Sequence, residues 1–282
     1  MATTDINTPS TENTLLKEKY GPWVMIAGAS TGVGAAFARH FAALGLNCIL
    51  IARRVAPLET LRQELVDKHG VEVLLLPFDL SENGVAARIE KAVEGRSIGM
   101  FIYNAGGDPY ITKFLNTSAS NWASLVRMNT QTIMECCHIF GGLMVERGRG
   151  GIVLVGSHAA LGGVKKLSVY SATKAFGLNL GESLWAEWSA KGVNVLNLLI
   201  GATDTPHMRE SMAKLNIPGI ASMELAKPED VVRAAIHHLP HGPTLIYPDD
   251  QNTAAGNKSQ GALRREHVIQ ISATSALFIG DD

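Results

Sequence analysis

Short, continuously apolar segments alternate with segments of helical periodicity along most of this chain, and this alternation constrains the fold more than any other feature. Strands are predicted at Trp23–Ala27, Cys48–Ala52, Val71–Pro77, Met100–Tyr103, Ile152–Val155, Val193–Ile200 and Thr244–Tyr247. Between them the apolar residues recur at helical spacing. Because strands without a polar face must be covered on both sides, this order indicates a parallel sheet between two helical layers. We therefore predict an α/β fold: a single doubly wound domain with a mostly seven-stranded parallel sheet and helices on both faces.

The two ends of the chain do not continue this pattern. Residues 1–20 are polar, and we expect a flexible N-terminal arm there. Residues 21–248 are predicted to form the alternating domain. Residues 249–282 form a C-terminal extension, in which the segment 263–277 is open between a helix and irregular structure.

Composition and charge exclude several classes of protein. Apolar residues make up 46% and charged residues 18%, a balance that a disordered chain does not have. The formal net charge is −1, so neither nucleic acid nor an anionic membrane is an expected partner. The three cysteines include the adjacent pair Cys136 and Cys137, which suits neither a disulfide framework nor a zinc site, and no metal is expected. With no signal-peptide or membrane-spanning segment in this sequence, we expect a cytoplasmic protein.

The first predicted strand runs directly into Gly28-Ala29-Ser30-Thr31-Gly32-Val33-Gly34, a GxxxGxG spacing at a strand-to-helix junction. Glycines there let the backbone approach a pyrophosphate, and the helix amino end supplies N–H groups and a positive dipole end. No Lys-Ser/Thr pair follows the last glycine, which excludes a P-loop. The position of the turn favours a Rossmann-type dinucleotide site over a tight turn without ligand. The residues predicted to line this site are Gly28, Ser30, Thr31, Gly32, Val33 and Gly34.

The end of the second strand predicts which dinucleotide binds. It carries Arg53 and Arg54, and no Asp or Glu occurs from Asn47 to Pro57. An acid there would bind the adenosine ribose hydroxyls, whereas arginine suits the 2′-phosphate of NADP. Charge-assisted contacts contribute about 1.5–3 kcal/mol, or roughly a 10- to 150-fold preference. We predict NADP over NAD, with NADPH preferred over NADH; the alternative is that both arginines simply end a strand at the surface.

Tyr170 and Lys174 form a YxxxK sequence at the start of a predicted helix, where a spacing of four residues puts both side chains on one face. Alone, this spacing is common by chance. It is accompanied, in order, by the glycine turn, Asp79-Leu80, Asn104-Ala105-Gly106, and Ser157 thirteen residues before Tyr170. Taken together, these motifs resemble the short-chain dehydrogenase/reductase family over roughly residues 21–247.

The resemblance implies a division of catalytic roles. Tyr170 is expected to act as general acid in reduction and as general base in oxidation, although its ordinary pKa of about 10 is too high for this near neutrality. Lys174 and the nicotinamide cation are expected to lower that pKa, and Lys174 also to hold the nicotinamide ribose. Ser157 is expected to hydrogen-bond the substrate oxygen. Asn129 is expected to position a water that links Lys174 to bulk solvent.

The resemblance also implies further contacts to the cofactor. Asp79 is expected at the adenine, with a helix-terminal acid as the alternative. Asn104 is expected either to touch the cofactor or to fasten neighbouring strands, and Tyr103 departs from the Asn that the family usually has there. The remaining predicted cofactor-binding residues are Leu80, Ala105, Gly106, Tyr170, Lys174, Gly201, Thr203 and Thr205.

In such a fold the substrate binds outside the carboxyl ends of the strands. The expected walls are Gly107–Tyr110, His158–Gly163 and residues 205–225, whose methionines suit an adaptable apolar lid, with ordinary packing as the alternative. For His158 the alternative is a hydrogen bond to loop backbone. The predicted substrate contacts are Ser157, His158, Tyr170 and Met208.

These inferences predict an NAD(P)-dependent oxidoreductase that transfers a hydride between NADP(H) and an apolar ketone or secondary alcohol. A 3-oxoacyl thioester reductase is the alternative among enzymes, and its basic rim would be Lys165, Lys166, Arg209 and Lys214. A binding protein that senses dinucleotides without chemistry is the alternative of another class. The segment Tyr20–Trp23 resembles the branch of 3-ketoacyl-CoA reductases and 17β-hydroxysteroid dehydrogenases.

The resemblance finally implies a homodimer or homotetramer. Members of the family usually pair through two long helices, here Ser120–Glu146 and Tyr170–Ala190. The apolar residues considered for that contact are Ile133, Leu178, Trp185 and Trp188.

Overall fold

Seven parallel strands form one sheet, and their arrangement confirms the predicted fold class. The computed structural model describes residues 11–215, 224–254 and 257–279. The strands are β1 Trp23–Ala27, β2 Asn47–Ile51, β3 Val73–Leu76, β4 Ile98–Tyr103, β5 Gly150–Ser157, β6 Val193–Ile200 and β7 Thr244–Tyr247. Their order in the sheet is β3-β2-β1-β4-β5-β6-β7. From β1 to β3 successive strands are added towards one edge of the sheet, and from β4 onwards towards the other. The loops after β1 and β4 therefore lead to opposite faces and leave a crevice at the carboxyl edge.

Helices cover both faces of this sheet. The helices are α1 Thr11–Tyr20, α2 Gly32–Ala43, α3 Val55–His69, α4 Val85–Ala92, α5 Ala119–Val126, α6 Thr132–Cys136, α7 Gly142–Glu146, α8 Ser168–Trp188, α9 Pro206–Leu215, α10 Pro228–His238 and α11 Gln260–Ile279. One apolar cluster packs α2, α3 and α10 against one face of the sheet. A second cluster packs α4, α6, α7 and α8 against the opposite face. Within the described ranges, no helix has the length and apolar character that crossing a bilayer requires.

The long helix predicted at Ser120–Glu146 is interrupted by two π turns. Arg127–Gln131 joins α5 to α6, and Cys137–Gly141 joins α6 to α7. A π turn adds one residue to a helical turn and re-aims the side chains around it, often at functional sites. Tyr103 supports the first π turn, because its hydroxyl donates a 2.6 Å hydrogen bond to the Met128 carbonyl. Asn129, inside that turn, is fully buried.

The prediction of a flexible arm at residues 1–20 is wrong for the second half of that segment, which forms helix α1. Tyr20 at the helix end is fully buried, and its hydroxyl donates to Asn194 Oδ1 at 3.0 Å. The backbone N–H of Gly21 donates to the Lys17 carbonyl at 2.9 Å. The polar sequence hid this helix because one buried aromatic residue anchors it, rather than an apolar stripe. Residues 1–10 of the expected arm lie outside the described residues.

The C-terminal extension contains helix α11. Of the two structures considered for residues 263–277, a helix or irregular structure, the helix is therefore the one observed. The Arg264 guanidinium donates to both carboxylate oxygens of buried Glu182 on α8, at 2.6 and 2.8 Å. The Thr244 hydroxyl of β7 donates to the same carboxylate at 2.8 Å. Asp250 accepts hydrogen bonds from the backbone N–H groups of Ile246 and Gly261. The start of α11 is therefore fastened to α8 and β7.

The apolar residues considered for pairing between chains lie inside the fold. Ile133, Leu178 and Trp185 are buried, because they face the sheet rather than the outer side of their helices. Trp188 packs against the same apolar cluster as Trp185. The exposed apolar side chains on these helices are instead Val126, Met134, Leu143 and Phe176.

Candidate active site

The predicted site residues come together at the carboxyl edge of the sheet. The glycine turn follows β1, Asn104–Gly106 follows β4, and Ser157 ends β5. Tyr170 and Lys174 lie in the first turns of α8, which packs against β5 and β6. The segment from Gly201 to Thr205 follows β6. Five separate parts of the sequence therefore line one crevice.

The glycine turn fits a bound pyrophosphate. Gly28 has a left-handed φ of +79°, and a Cβ there would lie 2.7 Å from the Ala105 backbone nitrogen. Gly32 has a φ of +59°, and a Cβ there would lie 2.6 Å from Thr205 Cγ2. Helix α2 begins at Gly32, and its N-cap residue Thr31 does not cap it with its side chain. The first N–H groups of α2 thus remain available for an anionic ligand at the positive end of the helix dipole.

Asn104 fastens this turn to the neighbouring strand end. Its Nδ2 donates to the Gly28 carbonyl at 3.0 Å, which favours the strand-fastening alternative for this residue. Thr205 connects the turn to α9, since its methyl group faces Gly32 and its hydroxyl accepts from the Met208 N–H at 3.1 Å. Thr203 donates to the Gly201 carbonyl at 3.2 Å. The backbone around the candidate cofactor site is therefore held in place before a ligand binds.

Positive charge lies at the expected adenosine end of the crevice. Arg53 is 76% exposed at its side chain, and its Nη1 lies 3.9 Å from Asp79 Oδ2. Asp79 Oδ1 accepts hydrogen bonds from the backbone N–H and hydroxyl of Ser81, at 2.9 and 2.7 Å. Arg54 is also exposed. One Asp79 oxygen is therefore used within the turn that Asp79 begins. The exposed Arg53 guanidinium is held only by a long contact to the other oxygen, and it can reach a phosphate in solvent.

Lys174 is buried and does not approach Tyr170 as an ion pair would. Its Nζ donates to the Val155 carbonyl at 3.0 Å and lies 5.7 Å from the centroid of the Tyr170 ring. Burial lowers the pKa of Lys174 to about 8, because the charged ammonium loses its hydration. The Ser157 hydroxyl accepts from the Ala159 N–H at 3.2 Å.

The protein's own residues raise the pKa of Tyr170. Burial raises it, the neighbouring Ser157 hydroxyl lowers it, and the negative charge of Asp108 raises it further. Lys174 is not directed at the phenol, because its Nζ donates to a backbone carbonyl. The lowering expected from Lys174 together with the nicotinamide cation stays a prediction for the protein with its cofactor bound.

Asn129 presents an unused acceptor to the site. Its Nδ2 donates to the Thr173 hydroxyl at 3.1 Å, and that hydroxyl donates to the Tyr170 carbonyl at 2.8 Å. Its Oδ1 is buried and finds no hydrogen-bond partner among the described residues. Gly106 leaves room for that oxygen, since a Cβ on Gly106 would collide with it. Buried acceptors are rarely left unpaired, so Oδ1 fits a donor such as an ordered water.

Two polar residues of the site were given no role of their own in the sequence analysis: Tyr103 was noted only as a departure, and Asp108 only as part of the expected wall Gly107–Tyr110. Tyr103, treated as a departure from a family pattern, supports the π turn that holds Asn129. Asp108 is buried in the loop after β4, and its Oδ1 accepts from the N–H groups of Tyr110 and Ile111 at 2.8 and 3.3 Å. The available signal for Asp108 was an acid placed directly after the glycines of a strand end.

The structure gives different surroundings to the predicted substrate contacts His158 and Met208. The His158 ring nitrogen Nε2 lies 3.0 Å from the Tyr247 carbonyl, which favours the backbone alternative over a substrate role. Met208 is partly buried on α9. Residues 216–223 of the expected lid lie outside the described residues.

Comparison with known proteins identifies relatives over most of the chain. The sequence profile of the family described as short chain dehydrogenase matches residues 22–216. A 7β-hydroxysteroid dehydrogenase of Collinsella aerofaciens is 31% identical over 229 residues, covering 79% of this chain and 85% of the relative. A very-long-chain 3-oxoacyl-CoA reductase-like protein of Arabidopsis thaliana is 29% identical over 226 residues, covering 79% of this chain and 71% of the relative.

A solved structure extends this similarity to three dimensions. The short-chain dehydrogenase from Sphingobium yanoikuyae, in complex with NADPH, superposes with a TM-score of 0.74. It is 28% identical and covers 91% of this chain and 95% of its own.

Proposed function

This chain belongs to the short-chain dehydrogenase/reductase family, and from that premise we propose that it transfers a hydride between NADP(H) and a largely apolar ketone or secondary alcohol. Membership makes it an oxidoreductase that acts on CH–OH groups and binds a nicotinamide dinucleotide. The observation that carries the finer proposal is the convergence of Ser157, Tyr170 and Lys174 beside the glycine turn.

We propose the following roles for the residues of the crevice. Ser157 and Tyr170 donate hydrogen bonds to the carbonyl oxygen, which polarise the carbonyl and stabilise developing alkoxide charge. Tyr170 then donates its proton to that oxygen, and in oxidation it takes the proton back. Lys174 holds the nicotinamide ribose and favours release of the Tyr170 proton. Asn129 positions a water that links Lys174 to bulk solvent. The bound nicotinamide supplies or accepts the hydride.

A screen of ketones tests this function. Purified protein is mixed with NADPH and a panel of aliphatic, cyclic and polycyclic ketones, and the loss of NADPH absorbance is followed. We expect turnover with bulky apolar ketones. Tight NADPH binding without turnover of any ketone would contradict the proposal and favour a protein that senses dinucleotides.

Arg53 predicts the choice between the two dinucleotides. We expect NADP(H) to bind at least about tenfold tighter than NAD(H), the lower end of the range for charge-assisted contacts because Arg53 is exposed to solvent. Arg53→Ala should reduce that ratio, measured by fluorescence titration with each cofactor. Arg62→Ala on the exposed face of α3 is the matched control, since its partner is Glu59 of the same helix. Equal affinities of the unmodified protein for both cofactors would disprove the assignment.

A second candidate function is reduction of 3-oxoacyl thioesters. Lys165 and Lys166 are exposed on the segment before α8, where they could meet the phosphates of coenzyme A, and the similarity to the Arabidopsis protein favours the same substrate class. Arg209 contributes less to such a rim because it pairs with Asp204. Higher kcat/KM for a 3-oxoacyl-CoA than for the matching free ketone would select this candidate.

We propose that the chain assembles as a homodimer or homotetramer through its long helices. Met134, Leu143 and Phe176 are exposed on these helices, where apolar surface is costly to leave in water. We expect light scattering at micromolar concentration to give at least twice the chain mass of 30.1 kDa. Phe176→Glu should lower that mass. A monomer mass for the unmodified protein would contradict this prediction.

A cytoplasmic location is also proposed. Cys48, Cys136 and Cys137 are free and buried, and burial raises the pKa of the Cys48 thiol to about 12. Such thiols remain reduced and unreactive, as expected of a chain in a reducing compartment.

A further inference from the structure

Asp108 is a buried carboxylate in the pocket wall that the proposed mechanism does not use. It lies two residues after Gly106 in the loop that follows β4, and it is only 5% exposed. Its Oδ1 accepts from the backbone N–H groups of Tyr110 and Ile111. Its Oδ2 is shielded from solvent and has no hydrogen-bond partner among the described residues.

The free oxygen is not required by the fold. The turn from Asp108 to Ile111 uses only Oδ1, so an asparagine would serve that turn equally well. A buried carboxylate is costly unless it is paired, and Asp108 forms no ion pair within residues 11–215, 224–254 and 257–279. A bound ligand that donates a hydrogen bond to Oδ2 would explain why a negatively charged acceptor is kept in this position.

The loop that carries Asp108 contacts the candidate site, because Gly106, two residues before Asp108, faces the side-chain oxygen of Asn129. The charge of Asp108 acts on the Tyr170 hydroxyl and raises the pKa of that residue. The preceding residue, Gly107, lies beneath α9, because a Cβ on Gly107 would be 3.2 Å from His207 Nε2. Asp108 thus belongs to the space between the catalytic side chains and the helix that covers them.

The loop that carries Asp108 is held rigid by aromatic contacts. The Tyr110 ring meets the Trp122 ring edge-on, with centroids 5.5 Å apart. Trp122 stacks on Phe114 and donates its indole N–H to the Phe114 carbonyl at 2.9 Å. A carboxylate fixed in this way keeps its direction and discriminates between ligands better than one on a mobile loop.

We propose that Asp108 is a substrate-binding residue whose Oδ2 accepts a hydrogen bond from a hydroxyl group of the substrate, remote from the carbon that exchanges the hydride. This inference rests on the proposed function and adds the substrate class: hydroxylated polycyclic or bulky ketones and the corresponding diols. The proposal commits to a neutral hydroxyl donor, and an ammonium group at the same position is one of the alternatives that the test compares with it.

Matched substrates test the proposal on the unmodified protein. The panel consists of polycyclic ketones that differ at one ring carbon, which bears hydrogen, hydroxyl, methoxy or ammonium. We expect kcat/KM for the best hydroxylated ketone to exceed that of its deoxy and methoxy analogues by at least about tenfold, the effect of one charge-assisted hydrogen bond. Methoxy or deoxy analogues as good as the hydroxyl compound, or a preference for the ammonium analogue, would overturn the proposal.

Asp108→Asn then assigns the effect to this residue. The amide keeps an oxygen for the N–H groups of Tyr110 and Ile111 and places a donor where Oδ2 was. We expect the ratio of kcat/KM between hydroxylated and deoxy ketones to fall at least about tenfold, whereas Asp67→Asn on the exposed surface of α3 leaves it unchanged. The variant should also lower the kinetic pKa of Tyr170, because it removes a negative charge near the phenol, and this shift is separate from the substrate preference. An unchanged ratio would disprove the assignment.

The outcomes separate this inference from the proposed function. If no ketone in the panel is reduced, the proposed function fails. If deoxy ketones are reduced and the hydroxyl gives no advantage, only the role of Asp108 fails. Should Asp108→Asn not fold, inhibition of the unmodified protein by non-reducible alcohols, with and without the second hydroxyl, measures the same preference.

Discussion

Tyr170→Phe is expected to abolish turnover while leaving the affinity for NADPH nearly unchanged. The substitution removes only the hydroxyl, which the proposed mechanism uses to transfer a proton to the substrate oxygen. Loss of a positioned general acid typically costs about 10²–10⁴-fold in rate. Steady-state kinetics with an active ketone measure turnover, and fluorescence titration measures cofactor affinity separately. The ring itself stays in place, so packing of α8 should not change.

Tyr247→Phe serves as the matched control for this prediction. Tyr247 is a buried tyrosine at the end of β7, and it contacts the site through its backbone carbonyl and His158. Its variant should keep the activity of the unmodified protein. If Tyr170→Phe retained most of the original kcat, another acid or a non-catalytic role would have to replace the mechanism proposed above.

The pH dependence of the reaction follows from the same residue. Reduction requires Tyr170 to be protonated, and its burial raises its pKa. We therefore expect kcat/KM for reduction to be constant at low pH and to fall as the pH rises through the pKa of Tyr170. Oxidation requires the phenolate and should show the opposite dependence. The nicotinamide ring is a cation only in the oxidised cofactor, so it would move the transition for oxidation to lower pH without reversing it.

Ser157→Ala is expected to lower kcat by about 10²–10³-fold, the usual effect of removing one donor from an oxyanion-type site. The hydroxyl ends β5 and lies beside Tyr170, where it also lowers the pKa of the tyrosine. Because the proposed mechanism has Ser157 act on the substrate oxygen, NADPH affinity should remain the same. Kinetics at saturating NADPH, over a range of ketone concentrations, separate kcat from KM.

Ser183→Ala is the control for this substitution. Ser183 lies on the exposed side of α8, and its hydroxyl donates to the Asn179 carbonyl of the same helix. Its loss should change neither kcat nor KM. An equal loss of activity in both variants would point to damage to α8 rather than to a missing donor at the reacting oxygen.

The sheet could be predicted from the sequence because its strands are buried on both faces. A run such as Trp23–Ala27 is apolar at every position, and only a covered parallel sheet accommodates several such runs in alternation with helices. Helix α1 could not be predicted in the same way, because its stability depends on the buried Tyr20 and its hydrogen bond to Asn194, a contact distant in sequence. The first π turn escaped prediction for a related reason, since the Tyr103 hydroxyl and the Met128 carbonyl meet only after folding.

The part of the candidate site that motifs with fixed spacing define could be predicted from the sequence. The glycine turn, Ser157, Tyr170 and Lys174 could be located because order and separation are properties of the sequence. The direction of the Tyr170 pKa shift was not predictable, because it depends on burial and on the carbonyl that Lys174 contacts. The importance of Asp108 was hidden for the same reason, since an unpaired oxygen is visible only once all its neighbours are known.

Helix α11 fastens the C-terminal part of the chain to α8, beyond the residues that the family profile matches. Similarity to the family profile ends at residue 216, yet Arg264 holds Glu182 on the same helix that carries Tyr170 and Lys174. A chain shortened before Gln260 would leave that carboxylate buried without its guanidinium, and the catalytic helix would lose part of its support. A change in the tail can thus alter how firmly α8 is held, without touching Ser157, Tyr170 or Lys174.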